Sequence, residues 1–421
     1  MPDTPPWKST PLRTLAAEAD KEVLWDAADA AAQEHEGDVR AYVNAEDAAM
    51  RRARLRAGAA GPLAGLPFGA KDVFDTAELP TEYGSPIYAG NQPAADAVVV
   101  ARLKAAGGAL YAKTVTTEFA SFHPGPTRNP HNLDHSPGGS SSGSAAAVAA
   151  GMLPFAIGTQ TGGSVIRPAA FCGVVGFKPT FDLLPTPGTK AFAWTLDTIG
   201  VFTNRVADAG FVVEAVTGRR FDAAVPGKEL RIGICRTPMA DDMDDEMAEA
   251  FDFAARHLTD YGFAVSNLEL PDIFAKAHKA HDVINDYEGA LSLSHEWFAH
   301  RDRISDRLKA IIEAGIAYDT ATYDAARQTM KAARLALTRI WNGLDVIVAP
   351  SAPGAAPHGI ETTGSSVMNR LWTAMGVPCV NIPGMVSRGG LPLGIQVIGP
   401  AMSDARTIAA AEAVEAAFRP H

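Results

Sequence analysis

Hydrophobic and polar positions follow two textures along this 421-residue chain. Between residues 11 and 58 alanine alternates with charge, from Leu12 to Gln33 and again from Ala45 to Arg56. This spacing predicts helix throughout, with Gly58 as a stop. After Pro62 the pattern changes to short apolar runs bounded by Gly and Pro, at Leu66–Phe74, Ala109–Lys113 and Phe155–Thr159, which predict strands. Helical stretches at Ala95–Ala106 and Ala145–Ala150 separate them, and the alternation is that of an α/β protein. From Asp241 to Asn342 the chain reads as mostly helical, with a strand-like Phe263–Leu270 and a helical layer or cap over Ile273–Trp341. Strand texture returns at Leu344–Ala349 and Leu393–Ile398, and a last helix spans Asp404–Phe418.

The Gly-, Pro- and Ser-rich stretch His123–Ser144 has the composition of a linker. It also carries Arg128, Asn129, His131, Asn132 and Asp134, and it runs into a helix with Ser144 as expected N-cap. It therefore reads as a long functional loop.

Bulk properties narrow the function. Apolar residues make up 47% and charged residues 20%, enough for a sizeable core. The net charge of −11 opposes nucleic-acid binding through phosphate neutralisation and opposes an anionic membrane surface. Cys172, Cys235 and Cys379 form no CxxC pair and suggest a reducing compartment without a disulfide framework. The N-terminus lacks the basic and apolar regions of a secretory signal, and no run reaches the roughly 18 apolar residues of a membrane span. The expectation is a soluble cytoplasmic protein.

The candidate chemistry lies in two Gly/Ser segments and one lysine. Ser140 sits in Pro137-Gly138-Gly139-Ser140-Ser141-Ser142-Gly143-Ser144, and Ser164 ends Gly158-Thr159-Gln160-Thr161-Gly162-Gly163-Ser164. A serine hydroxyl needs a base to become nucleophilic. A lysine kept neutral by burial can serve, because desolvation disfavours the ammonium form. Lys71 has that company in Leu66, Pro67, Phe68, Ala70, Val73 and Phe74. On a strand it points away from Asp72, so this acid does not neutralise it. The glycines before Ser164 allow backbone N–H groups to approach a substrate oxygen, and a helix start over Val165–Phe171, with Pro168 in its first turn, adds oriented donors. Together these suggest covalent acyl transfer without histidine.

Other readings compete. Gly139-Ser140-Ser141-Ser142-Gly143 is formally a G-x-S-x-G, which would nominate Ser141, but no strand precedes it. No phosphate-binding G-x-x-x-x-G-K-[ST] occurs. His278 and His281, with Glu288, could share a helix face for a metal, yet solvated helix polarity is the preferred reading. Cys172 is a second candidate nucleophile, and Lys113 a second candidate base.

Gly69-Ala70-Lys71-Asp72, the two Gly/Ser blocks, Pro168-Ala169-Ala170-Phe171-Cys172-Gly173, Gly176-Phe177-Lys178-Pro179-Thr180, Leu196-Asp197-Thr198-Ile199-Gly200 and Gly390-Leu391-Pro392-Leu393-Gly394-Ile395-Gln396 resemble the amidase signature family. The resemblance runs from about Leu12 to the end and weakens between Asp241 and Trp341. It implies a mixed β-sheet core sandwiched by helices, in one domain over 1–421. The N-terminal helical segment would cover about 1–60, the signature core about 61–210 and the variable cap about 241–342. It implies a Ser-cisSer-Lys triad of Ser164 as nucleophile, Ser140 as bridge and Lys71 as base, leaving Lys113 and Cys172 structural. Backbone N–H groups of Thr161, Gly162, Gly163 and Ser164 would hold the oxyanion.

Arg167 stands three residues after Ser164, as in malonamidase-type members, where it grips a substrate carboxylate; the competing reading is a salt bridge that orders the loop. Gln160 stands where many members carry Asp. The implied activity is hydrolysis of an amide, carbamate or ureido bond in a small molecule, with no metal or organic cofactor and with a homodimer left open. A glutaminase-type component of an amidotransferase is the alternative. A catalytically dead binding protein on the same fold is the reading from a different class.

Overall fold

The computed structural model describes residues 4–45, 47, 49–50, 52–53 and 60–418. Among them one mixed sheet contains eleven strands. In chain order these are β1 Tyr42–Ala45, β2 Pro67–Lys71, β3 Ala109–Thr114, β4 Phe155–Gln160, β5 Val175–Lys178, β6 Thr198–Thr203, β7 Arg231–Ile234, β8 Ala264–Asn267, β9 Val346–Pro350, β10 Cys379–Val386 and β11 Pro392–Ile398. Their spatial order is β1-β3-β2-β4-β6-β5-β10-β11-β9-β7-β8. β2 lies parallel between β3 and β4, whereas β4, β6, β5, β10, β11 and β9 pair antiparallel in succession. The β10–β11 hairpin joins the strands before residue 204 to the β9-β7-β8 group.

Both faces of the sheet are covered, as alternation along β9 shows. Val346 and Val348 enter one buried apolar cluster, which includes Trp7, Trp25, Phe251 and Val414; Ile347 and Ala349 enter another, built with Phe274, Ile284, Leu308 and Trp372. The mixed sheet between helices is the architecture expected from the sequence. The predicted strands at Leu66–Phe74, Ala109–Lys113, Phe155–Thr159, Leu344–Ala349 and Leu393–Ile398 are present with shifted ends, the first shortened to Pro67–Lys71; helices also occupy 273–341, and the closing helix spans Asp404–Phe418.

The N-terminal expectation is corrected. From residue 11 two helices, Leu12–Glu18 and Lys21–Val39, replace continuous helix, with a short Pro6–Ser9 helix ahead of them, and β1 follows. Arg40 turns the chain at φ 52°, and the Glu36 carboxylate accepts from the N–H groups of Ala41 and Tyr42, both at 2.9 Å. This side chain ends the helix by taking up the next backbone donors. In the second predicted stretch, residues 49–50 and 52–53 are helical, while Gly58 lies outside the described residues. Ser144 is not an N-cap: the helix is Ser142–Ala149, and the Ser144 hydroxyl bonds the Ile157 carbonyl at 3.0 Å inside the core.

Candidate active site

Lys71 is the last residue of β2, fully enclosed at the centre of the parallel strands. Its Nζ lies 2.7 Å from Ser140 Oγ and 2.8 Å from Thr159 Oγ1. Burial pulls the amine down to about 7; the Asp197 carboxylate opposes this and the Arg167 guanidinium reinforces it. Half of such amines are neutral near physiological pH, the condition for a base. Lys113 is equally buried but differently held. Its Nζ lies 3.0 Å from Asp72 Oδ1 and donates to the Phe74 carbonyl at 2.7 Å and to Thr81 Oγ1 at 2.5 Å. The acid beside Lys71 in sequence is thus engaged elsewhere.

Ser140 follows a cis Gly139–Ser140 peptide and is buried. The Gly139 carbonyl accepts from Arg167 Nη2 at 2.5 Å, and the Ser140 carbonyl accepts from the Thr117 N–H at 3.2 Å. Arg167 Nη1 donates to the Gly364 carbonyl at 2.6 Å. Burial brings the Arg167 guanidinium down to about 9, with the Arg370 charge adding to the effect. Among the described residues Arg167 forms no salt bridge; its bonds are to carbonyls, and it orders the loop by that means.

Ser164 ends the turn that leaves β4. The Gln160 side chain caps the next helix, Ile166–Phe171: its Oε1 accepts from Val165 N at 2.8 Å and Ile166 N at 3.0 Å, and its Nε2 donates to Thr373 Oγ1 at 2.9 Å. In this way an amide does the work of a capping acid. The carbonyls of Thr161, Gly162 and Gly163 accept from His281 Nε2, Thr373 Oγ1 and Arg167 N–H. The N–H groups of residues 161 to 164 donate to no described acceptor. Gly163 is required sterically, since a Cβ there would meet Asn369 Oδ1 at 2.4 Å.

Ser164 lines an open cleft of about 300 Å³ together with Gly162, Gly163, Arg167, His281 and Arg370. No hydrogen bond joins the Ser140 and Ser164 hydroxyls among the described residues. Lys71, Ser140 and the Ser164 turn are nonetheless gathered at the ends of neighbouring strands β2 and β4 and the loop beside them.

Three contributors carry no role in the sequence reading. Thr159, a second partner of Lys71, lies inside the Gly158–Ser164 motif, where the glycines and serine draw the eye. Asp197 lies in Leu196-Asp197-Thr198; its carboxylate accepts from Thr161 Oγ1 at 2.5 Å and from Phe192 and Ala193 N–H, and burial raises it to about 6. The sequence puts His281 on a solvated face. It is instead buried and donates to Thr161, while His278, also buried, bonds the Val367 carbonyl at 3.2 Å. Glu288 is buried too and accepts from Thr195 and Tyr323. The Cys172 thiol packs against the Pro137 carbonyl and is pushed up by burial, which makes it a poor nucleophile. Ser141 is enclosed, its hydroxyl bonded to the Thr159 backbone.

Known proteins share the sequence pattern and the fold. The sequence profile of the Amidase family matches residues 22–408. The chain is 34% identical, over 90% of its length and 87% of the relative's, to a component of the glutamyl-tRNA(Gln) amidotransferase of Acidothermus cellulolyticus. A crystal structure of an amidase superposes with a TM-score of 0.88 at 28% identity, covering 97% of this chain and 98% of that one. A peptide amidase bound to the competitive inhibitor chymostatin superposes with a TM-score of 0.79 at 30% identity over 99% of both chains. A buried lysine against a serine, a Gly-Gly-Ser turn with open backbone donors and a family match over most of the chain lead to one conclusion: this chain belongs to the amidase signature family and is a C–N hydrolase.

Proposed function

We propose that the chain hydrolyses the amide, carbamate or ureido bond of a small molecule through an acyl-Ser164 intermediate. The observation that carries this is Lys71 Nζ at 2.7 Å from Ser140 Oγ, in an enclosure that brings its pKa to about 7. Neutral Lys71 takes the Ser140 proton as Ser140 takes that of Ser164, and Ser164 Oγ attacks the carbonyl carbon. The Ser140–Ser164 hydrogen bond that this relay needs forms in the reacting complex. Backbone N–H groups of Thr161, Gly162, Gly163 and Ser164 receive the oxyanion, a contribution of about 3 kcal/mol for one such donor. The C–N bond then breaks, and Lys71 returns its proton through Ser140 to the leaving nitrogen. Water, giving its proton through Ser140 to Lys71, then attacks the acyl ester; the Ser164 Oγ–C bond breaks, the acid product leaves and the proton returns to Ser164 Oγ. No step needs a metal or organic cofactor.

Arg167 holds the Gly139 carbonyl and so aligns Ser140, and its charge, unpaired with any carboxylate among the described residues, favours an anionic substrate at the cleft. The test is a panel of amides, esters and carbamates with and without a free carboxylate, combined with fluorophosphonate labelling. Turnover together with an adduct on Ser164 supports the reading. Labelling elsewhere, or unchanged turnover after Ser164→Ala, refutes it.

A second reading is a glutaminase-type component that passes ammonia to partner chains, favoured by the 34% identical relative, which is named as part of an amidotransferase. Glutamine hydrolysis that appears only when partner chains are added supports it. Release of amine or ammonia by the purified chain alone supports the first reading.

A further inference from the structure

We infer that His281 is a positioning residue, which aims the backbone donors of the Ser164 turn from the helical cap. This rests on the reading of residues 161 to 164 as the oxyanion site.

In a planar trans peptide the carbonyl of one residue and the N–H of the next point in opposite directions. A donor that fixes a carbonyl therefore fixes the following N–H. Thr161 O accepts from His281 Nε2 at 2.8 Å, which sets the N–H of Gly162. Gly162 O accepts from Thr373 Oγ1 at 2.6 Å, which sets the N–H of Gly163. Gly163 O accepts from Arg167 N at 2.9 Å, which sets the N–H of Ser164. Paired glycines have little backbone preference of their own, so these anchors decide where the donors aim.

The three anchors differ in origin. The Arg167 bond belongs to the helix that follows the turn, and the Thr373 hydroxyl comes from the Val367–Met375 helix. His281 alone of the three comes from the long Ile273–Ser292 helix of the cap. A carbonyl only accepts, so Nε2 carries the hydrogen. The ring is buried, and on its other side Nδ1 lies 3.5 Å from Asp282 Oδ1 without a hydrogen bond; that oxygen accepts from Arg370 Nη1 at 3.0 Å. Arg370 Nε in turn donates to Ser366 Oγ at 3.1 Å. Burial and the Nε2 bond to Thr161 leave the imidazole few ways to turn. A cap whose sequence resemblance is weak thus reaches the backbone of the most recognisable motif in the chain.

The test uses the full chain and the best substrate from the panel. His281→Phe keeps a ring but removes the donor, and His281→Gln replaces the donor nitrogen at similar reach. Loss of a complete oxyanion donor lowers turnover by about 10²–10³. Loss of aim alone should lower kcat by about tenfold or more in His281→Phe, with KM within about threefold, and His281→Gln should recover most of it. Equal kcat in wild type and His281→Phe, or equal losses in Phe and Gln, overturns the role. If His281→Phe does not fold, His281→Asn against His281→Gln replaces it, because Asn is too short to reach Thr161; equal kcat in that pair overturns the role as well. The underlying reading fails separately, through a Ser164→Ala variant that keeps its turnover.

Discussion

Asp72 follows Lys71 in the chain, yet its carboxylate lies 3.0 Å from the Nζ of Lys113 and caps that lysine instead. β2 and β3 run parallel, with Lys71 opposite Thr114 and Ala70 opposite Lys113. The side chains that follow therefore sort by face, and one lysine receives an acid while the other receives two hydroxyls. The pairing keeps a second buried cation next to the site from going uncompensated. Burial pushes both members toward neutrality, and their proximity resists it.

Breaking that pair should harm stability. Asp72→Asn leaves the Lys113 charge buried without its counter-ion, and a loss of about 3–5 kcal/mol is expected from urea titration. A loss under about 1 kcal/mol would show that the pair is not held as the geometry has it.

Removing the Lys71 amine should separate activity from stability. Lys71→Met is expected to lose at least about 10³ in kcat while remaining folded. The wild-type rate should rise with pH through an apparent pKa near 7, the value to which burial brings the amine. Stability carries the same signature. The lysine titrates near 10.5 when unfolded and near 7 when folded, so between those values the unfolded chain holds more protons and stability rises with pH. Folding free energies of wild type and Lys71→Met should therefore diverge, in favour of wild type, as pH climbs from about 7 to about 10. Parallel curves would place the amine in contact with bulk water.

Arg167 offers a choice between two roles. If it serves only to bind a carboxylate, Arg167→Ala raises KM for anionic amides and spares neutral ones. Its bonds to Gly139 and Gly364 predict more: kcat should fall by about tenfold on neutral amides as well, because the loop bearing Ser140 loses a charged donor. Unchanged kcat on neutral amides would remove the positioning role.

Gly163→Ala tests the steric demand of the turn. The added methyl would sit 2.4 Å from Asn369 Oδ1, and relief requires the turn or the Val367–Met375 helix to move. A loss of about 1–3 kcal/mol in stability is expected in urea titration, with a larger effect on kcat than on KM. Wild-type kcat in this variant would mean that the donors tolerate displacement.

How far a residue's role can be read from sequence depends on the local signal it leaves. Lys71, Ser140 and Ser164 are legible because lysine among apolar residues and glycine beside serine are both unusual locally. β2, β3 and β4 are legible as apolar runs between breakers. β6, β5 and β10 escape such a reading: their buried stretches show no in–out alternation, and glycines at 176, 200 and 384 resemble turns. β1 is hidden because Ala, Asn and Tyr there continue an alanine-rich helical texture, and only the reach of Glu36 ends the helix. Thr159, Asp197 and His281 act through partners far along the chain, at separations of 88, 36 and 120 residues. No local pattern records such contacts, and a histidine pair three apart on a helix looks alike whether it meets solvent or a distant carbonyl.

The placement of the β10–β11 hairpin has a consequence for biosynthesis. The two strands that splice the sheet together are the last described strands that a ribosome releases, although one of their neighbours, β5, is made much earlier. Until they emerge, β5 and β9 each present a bare edge, the kind of surface that invites pairing with a neighbouring nascent chain. A chain truncated before Cys379 would keep Lys71, Ser140 and Ser164 but lack the seam between the two groups of strands, and aggregation is its expected fate.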